Sequence, residues 1–234
     1  KYNVYKFGPI NGSVAAPTGV QIGFMGFSTS LSMVDSNIQP DFTVAPPQAQ
    51  NPFSGAGNFP NAVGYFQQRL TMGGSNNAPE TFDMSQPGLY HNFDVSDPVR
   101  PDDAITGTLV SRQVNVIEHF VAMPGGLVTF TTGGVWQIAG TAEGVSPQTV
   151  QATPQAYNGC SKVPPIPINY DILYVQLKSS IVRALSYSFY NNIYQGEDIS
   201  VLAAHLLAGF QIKEWTYAEE PTSIVWAARG DGTL

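Results

Sequence analysis

The sequence predicts an all-β fold, in which β-propeller-like blades of antiparallel strands follow a shorter β segment at the N-terminus. Three observations carry this prediction: a strand–turn–strand pattern that occurs four times, few charged residues, and many turn-forming residues. Only 12% of the 234 residues are charged, whereas 23 are glycine and 18 are proline. Few charges and many turn formers are typical of a compact β protein rather than of a helical or disordered chain.

In the recurring pattern, an apolar strand is followed by a turn rich in glycine or serine and then by a second strand. The first residues of the four segments lie 57, 45 and 52 positions apart, close to the roughly 40–50 residues of one propeller blade. A four-stranded blade cannot bury its own faces, so such units stack radially. The pattern therefore predicts a scaffold of stacked blades. The segments are Leu70–Pro79, Leu127–Ile138, Ile172–Val182 and Ile224–Leu234.

The N-terminal part of the chain divides into a strand-forming segment, residues 1–45, and a linker. Its expected strands lie near residues 2–6, 20–26 and 29–34. Pro40–Phe53 then contains four prolines, which exclude a helix or a central strand because proline lacks the amide donor and restricts the residue before it. We therefore assign residues 46–56 to a Pro-rich linker and 57–234 to the propeller-like region.

From residue 57 onward, turn signals separate short strands. The loop 73–79 needs positive φ at its glycines, and the prolines of 98–103 and 147–167 mark further breaks, with Pro164–Pro167 excluding regular structure. The hairpin around Gly133-Gly134 has the clearest signal, and Ser200–Gly209 is the single predicted helix. The expected strands are 62–66, 69–72, 80–84 with pairing toward 90–93, 105–110, 114–121, 127–130, 135–138, 172–177, 181–189, 210–217 and 223–229.

The charge, the cysteine content and the chain ends indicate further which kind of protein this is. The net charge of −7 argues against nucleic-acid binding, which needs clustered Lys and Arg. Cys160 is the single cysteine, so we expect a buried apolar side chain and no disulfide framework. No run approaches the ~18–20 apolar residues of a membrane span. Lys1 is no natural start and Gly230–Leu234 reads as an unfinished hairpin, so we expect a piece of a longer protein.

Motifs for catalysis are weak, and we expect no catalytic, cofactor-binding or metal-binding residues and no enzyme. The three histidines, His91, His119 and His205, occur in no metal-ligand spacing, and each reads as a satisfied structural residue. No nucleophile elbow, Walker loop or dinucleotide fingerprint is present. Asp102 and Asp103 form the best acid pair for a propeller glycosidase. Neighbouring residues of an extended chain point to opposite faces, however, so a turn cap fits them better.

A carbohydrate-binding or receptor-binding surface is the alternative function. Aromatic residues make up 12% of the chain, and Trp136, Trp215 and Trp226 are candidates for exposed platforms. Each tryptophan falls within an alternating strand, which favours the core for all three. The segment Tyr190–Gly196 is the better contact surface, because it is polar, aromatic and expected to be exposed, and another subunit is its expected partner.

Ordered strings in the second half of the chain resemble the tail nozzle proteins of short-tailed bacteriophages and prophages, also called tail tubular protein B or DNA-stabilisation proteins. The likeness covers most of residues 57–234. In the N-terminal segment, Tyr2–Lys6 and Val34–Asp41 look like the latter half of a fibronectin-III-like sandwich that such proteins can carry. The strings are Pro60–Pro79, Asp102–Ile105, Asn115–His119, Gly133–Trp136, Ile172–Gln176 and Ala204–Leu206.

The resemblance implies a non-enzymatic virion protein made in the bacterial cytoplasm. It implies self-association into a hexameric ring that extends the tail below the portal and adaptor, contacts the distal tail proteins, and lets DNA pass without sequence-specific binding. Arg69, Asp102 and Asp103 would then make contacts between blades or within turns. The backbone conformation would require glycine at four positions, Gly73, Gly74, Gly133 and Gly134. No catalytic residue is carried over.

Overall fold

The computed structural model describes residues 1–7, 22–142 and 144–233, which fold into antiparallel β-sheets with little helix. Residues 20 and 21, where the second predicted strand begins, lie outside the described part of the chain. A 3-10 turn, Val201–Ala203, continues into the short helix α1, Ala204–Leu207. The strands are β1 Tyr2–Phe7, β2 Ile22–Ser28, β3 Ala45–Gln48, β4 Ala62–Phe66, β5 Arg69–Gly73, β6 Thr81–Met84, β7 Val95–Asp97, β8 Ile105–Thr108, β9 Ile117–Met123, β10 Gly126–Thr131, β11 Val135–Ala139, β12 Gln151–Ala156, β13 Ile166–Ile168, β14 Asp171–Val175, β15 Val182–Ser188, β16 Ile193–Asp198, β17 Ile212–Ala218 and β18 Ile224–Arg229.

Most strands belong to four antiparallel sheets that follow one another along the chain. Sheet I has the order β4-β5-β6-β8, sheet II the order β9-β10-β11-β12 and sheet III the order β13-β14-β15-β16, while sheet IV is the pair β17-β18. Within the described part of the chain, none of the sheets closes on itself. The remaining strands form two small sheets, β1-β2 and β3-β7. The prediction of an all-β chain of antiparallel strands is confirmed.

The four sequence segments that share a pattern occupy equivalent places in these sheets. They begin on β5, β10, β14 and β18, each of which is the second strand of its sheet. In sheets I to III the second strand is central and largely buried, and all six residues of β10 are buried. The sequence pattern therefore marks one repeated structural position.

Three apolar clusters lie between consecutive sheets and hold them together. Phe82 and Met84 of sheet I pack with Leu127 and Trp136 of sheet II in the first cluster. On the central strands of sheets II and III, successive residues point into different clusters. Ile172 and Tyr174 of β14 contribute to the second cluster, whereas Leu173 and Val175 contribute to the third. Strands that are buried on both faces need apolar residues at every position, which these sequences provide.

Close contacts between loops and sheets require particular glycines. Gly74 adopts φ +76°, and a Cβ there would lie 2.3 Å from the Ile117 carbonyl oxygen. Gly73 lies in β5 without positive φ, so the sequence prediction holds for only one glycine of this pair. In the β10–β11 hairpin, the Gly134 amide donates to Oγ1 of Thr131 over 3.0 Å. A Cβ at Gly133 would meet the Asn115 side chain at 2.1 Å.

Three strands form where prolines led us to expect turns or a linker. β3, β12 and β13 each contain proline, at Pro46-Pro47, Pro154 and Pro167. Each strand lies at the edge of its sheet, where one side of the backbone needs no partner and proline is tolerated. The expectation that 147–167, and 164–167 in particular, lack regular structure is therefore wrong. Proline excludes the central positions only.

Three other strand boundaries also differ from the prediction. Residues 29–34 contain no strand. Residues 90–93 do not pair with β6, because 86–92 fold back through turns in which the Gln86 amide donates to the Asn92 carbonyl, and β8 takes the place beside β6. Residues 193–196, expected within an exposed loop, begin β16, where Tyr194 is 3% exposed. The predicted helix is present but shorter, and it contains no buried residue.

Candidate functional sites

The best predicted acid pair lies in a turn that is organised around a buried arginine. Arg69 is 2% exposed, and its guanidinium donates to the carbonyls of Ser85 (2.8 Å), Asp103 (2.6 Å) and Pro101 (3.0 Å). Burial lowers the pKa of Arg69, while the charges of Asp102 and Asp103 oppose that shift. Arginine remains protonated nonetheless, so the site holds one fixed positive charge.

The two carboxylates of this pair play different parts. Asp103 is 1% exposed and accepts hydrogen bonds from the amides of Ser96 (3.0 Å) and Arg100 (2.7 Å) and from the Ser96 hydroxyl (2.8 Å). Asp102 is exposed on the wall of an adjacent cleft of about 470 Å³. Because the Asp103 carboxylate is occupied by the turn, the two acids do not face a shared substrate. The turn contacts expected of Arg69 and Asp103 are present.

A second polar group surrounds His119 on β9. Glu118 is 7% exposed and accepts a hydrogen bond of 2.8 Å from the side-chain amide of Asn61. Among the described residues, Nε2 of the half-buried His119 has no hydrogen-bond partner. Burial lowers the pKa of His119, although Glu118 and the backbone of Ser161 and Lys162 favour the protonated form. These side chains line a cleft of about 460 Å³.

The chemistry available around His119 is limited. His91 and His205 are both exposed and lie on other elements, so the three histidines do not converge. Among the residues that the structure describes, no group of three His, Cys, Asp or Glu side chains could hold a metal ion. Cys160 is fully buried, as expected, and burial raises the pKa of its thiol to about 12. A thiol with so high a pKa is not a nucleophile at neutral pH.

The three tryptophans fall into two classes. Trp136 and Trp215 are 8% and 9% exposed, and Nε1 of Trp215 donates to the Pro164 carbonyl over 2.6 Å. Trp226 of β18 is 50% exposed, so the prediction of a core position is wrong for it. The reason is its place in the stack: Val225 and Ala227 face the third apolar cluster, whereas Trp226, which lies between them along the strand, points to the other side of sheet IV.

The most exposed aromatic residues of sheet III lie in the turn between β15 and β16. Phe189 and Tyr190 are 85% and 98% exposed, with ring centroids 6.4 Å apart. Tyr187 packs edge-to-face on the buried Tyr194, and its hydroxyl donates to the side chain of Asn192. We call Tyr187–Asn192 the aromatic turn, which shares the exposed residues Tyr190–Asn192 with the contact surface predicted at Tyr190–Gly196. The rest of the predicted loop belongs to β16.

Comparison with known proteins adds no assignment. No protein-family profile matches the chain, and no curated protein sequence matches it. Within residues 1–7, 22–142 and 144–233, no helix has the length and apolar character needed to cross a membrane.

Proposed function

We propose that this chain is a structural component of a phage tail, a member of the tail nozzle family that forms part of a ring-shaped conduit for DNA below the portal and adaptor. The serial stacking of sheets I to IV carries the proposal. Each of sheets II and III is covered on both faces by its neighbours in sequence. A propeller is built by this kind of blade-on-blade packing.

Contacts between equivalent strands support a radial stack. The first strands of sheets I and II are neighbours, since the side-chain amide of Asn61, next to β4, donates to the Ile117 carbonyl of β9 over 3.1 Å. The fourth strands of sheets II and III are also neighbours, because Oε1 of Gln155 accepts the Tyr194 amide over 2.8 Å. Sheets that turn about an axis bring equivalent strands together in this way. In this proposal residues 1–45 belong to a fibronectin-III-like segment that precedes the blades.

The polar groups of the chain also fit a scaffold. Asp103, one of the two acids of the best predicted catalytic pair, and the nearby Arg69 form hydrogen bonds with backbone groups that fasten a turn to sheet I. A structural virion protein needs hydrogen bonds that hold its turns in place, and it does not need to catalyse a reaction. The proposal therefore places the protein in the virion, assembled from copies made in the host cytoplasm.

The test is the mass of the purified full-length protein in solution, with negative-stain images of the same sample. We expect a ring of about six copies with an axial channel. A monodisperse monomer over the whole concentration range, with no channel in the images, would contradict the proposal.

The alternative, a carbohydrate-binding or receptor-binding tail protein, is favoured by one observation. Trp226 and the neighbouring Ile224 are 50% and 41% exposed on one face of sheet IV. A receptor-binding protein would lose binding to host cells when Trp226 is replaced by alanine, whereas a conduit would not. Cell-binding assays with the Trp226→Ala variant therefore distinguish the two functions.

A further inference from the structure

Two adjacent segments of sheets II and III form a surface without charge. The aromatic turn and the start of β16, residues 187–195, contain no Asp, Glu, Lys, Arg or His, and neither do residues 151–158 of β12 and its C-terminal flank. The hydrogen bond from the Tyr194 amide to Gln155 joins these two segments directly. In place of charges they carry amides, hydroxyls and aromatic rings.

The aromatic rings at the tip of this surface are exposed to solvent and not buried in the core. Phe189 and Tyr190 protrude at the tip of the turn, at 85% and 98% exposure, although the same strands bury Leu185 and Tyr194 completely or nearly so. Large apolar side chains that stay exposed on a soluble fold often mark a binding site. The rings meet edge-to-face with an interplanar angle of 74°, which leaves their faces open to a ligand.

The polar groups around the rings are held in place before any ligand arrives. Asn192 adopts φ +54° at the end of the turn, and its side chain accepts a hydrogen bond from Tyr187. Gln155 is fixed at both ends, since Oε1 accepts the Tyr194 amide and Nε2 donates to Oγ1 of Thr153 over 3.1 Å. A preorganised surface loses less entropy on binding than a mobile one does.

We propose that the aromatic turn, with Thr153 and Gln155 of β12, is a binding site for a neutral oligosaccharide. The C–H faces of a sugar ring are apolar and can pack on the exposed rings, while its hydroxyl groups pair with amides and hydroxyls that bear no charge. A nucleic acid or a phosphorylated ligand needs Lys or Arg, which this surface lacks. The site does not depend on ring formation and adds a ligand to the structural function.

The experiment is saturation-transfer difference NMR of the intact protein with maltohexaose, cellohexaose and chitohexaose as probes. We expect saturation transfer to at least one of these sugars. Its Kd should be the same in roughly 0.05 M and roughly 0.5 M NaCl, because salt screens contacts between charges and this contact contains none. The double variant Phe189→Ser/Tyr190→Ser should weaken that binding by about tenfold or more, the equivalent of roughly 1.4 kcal/mol. Circular dichroism should show both proteins equally folded.

Tyr170→Ser supplies the matched control, because Tyr170 is 75% exposed in the β13–β14 turn of the same sheet. This variant should bind like the unsubstituted protein. Absence of transfer from all three probes overturns the proposal, as does an equal loss in the control variant. A loss of self-association in the double variant, seen by sedimentation without sugar binding in the parent, would assign the surface to contact between copies instead. The ring measurement described above is independent of each of these outcomes.

Discussion

Sheets II and IV share the sequence pattern that starts on their second strands, yet the two sheets differ in how much of their surface is buried. In sheet II, β10 is buried along its whole length, because sheet I covers one face and sheet III the other. In sheet IV, Trp215 and Val225 pack on sheet III, while Trp226 and Ile224 face outward. An apolar residue in an alternating strand is thus placed by the neighbours of its sheet and not by its own strand alone.

The largest expected difference concerns one tryptophan from each sheet. Trp136→Ala in sheet II should lower the free energy of unfolding by about 3–5 kcal/mol, because it removes a large side chain from the first apolar cluster. Trp226→Ala in sheet IV should change it by much less, since half of that side chain is already in water. Urea unfolding of both variants measures the two effects. Equal losses would mean that the outer face of sheet IV is covered in solution.

A somewhat smaller effect is expected at the two arginines that anchor turns. Arg69→Met should destabilise the protein by about 2–4 kcal/mol, because two buried carbonyls and the part-buried carbonyl of Pro101 lose the guanidinium as their hydrogen-bond donor. Arg229→Met in sheet IV, whose partner Asp231 is near the surface, serves as the control and should matter less. Thermal unfolding of both variants decides the question. An unchanged Tm for Arg69→Met would show that water replaces the guanidinium.

A smaller loss of stability is expected where a glycine leaves no room for a Cβ atom, and two glycines differ in this respect. Gly159→Ala should cost about 1–3 kcal/mol, because the new Cβ would lie 1.8 Å from the Thr132 carbonyl oxygen at the junction of sheets II and III and the backbone has to move. Gly230→Ala, just after β18, meets nothing closer than 3.4 Å and should be nearly neutral. Chemical denaturation compares the two. A neutral Gly159→Ala would indicate that the junction is loosely packed.

The smallest effect concerns acid stability. The pKa of His119 is lower in the folded chain than its usual value of 6.5, so the unfolded chain binds more protons between those two pKa values. Stability from this group is complete above pH 6.5 and falls as the pH drops below it. His119→Asn should reduce the pH dependence of Tm between about pH 7 and pH 5, the range in which a histidine side chain ordinarily titrates. His205→Asn, on the exposed helical segment, is the control. If Tm changes with pH equally in both variants and in the unsubstituted protein, protonation of His119 does not contribute to the loss of stability in acid.

The features that the sequence predicted correctly are those encoded by neighbouring residues. The Gly133-Gly134 hairpin, the second strand of each sheet and the turn role of Asp103 all depend on residues within a few positions of one another. The errors depend on distant partners. Pro154 and Pro167 are acceptable only because β12 and β13 are edge strands, and Trp226 is exposed only because sheet IV is packed on one side. The sequence alone does not state which strand lies at an edge.

The aromatic turn shows the same limit at a candidate site. Tyr190–Asn192 fall within the predicted contact segment, whereas Tyr187 and Phe189 were assigned to a strand, and the assignment of residues 193–196 to a loop overlooked β16. The contribution of Gln155 could not be foreseen, because this residue is 39 positions from Tyr194 in the sequence and meets it through the packing of sheets II and III. An uncharged stretch on each segment is the signal that could have linked them.

The proline-bearing edge strands have a consequence for aggregation. An exposed strand edge offers unpaired amides and carbonyls to which another chain can add a strand, which is a common first step toward amyloid. Pro46-Pro47, Pro154 and Pro167 remove amide donors from three such edges. These prolines therefore protect the protein by denying other chains a template for misassembly.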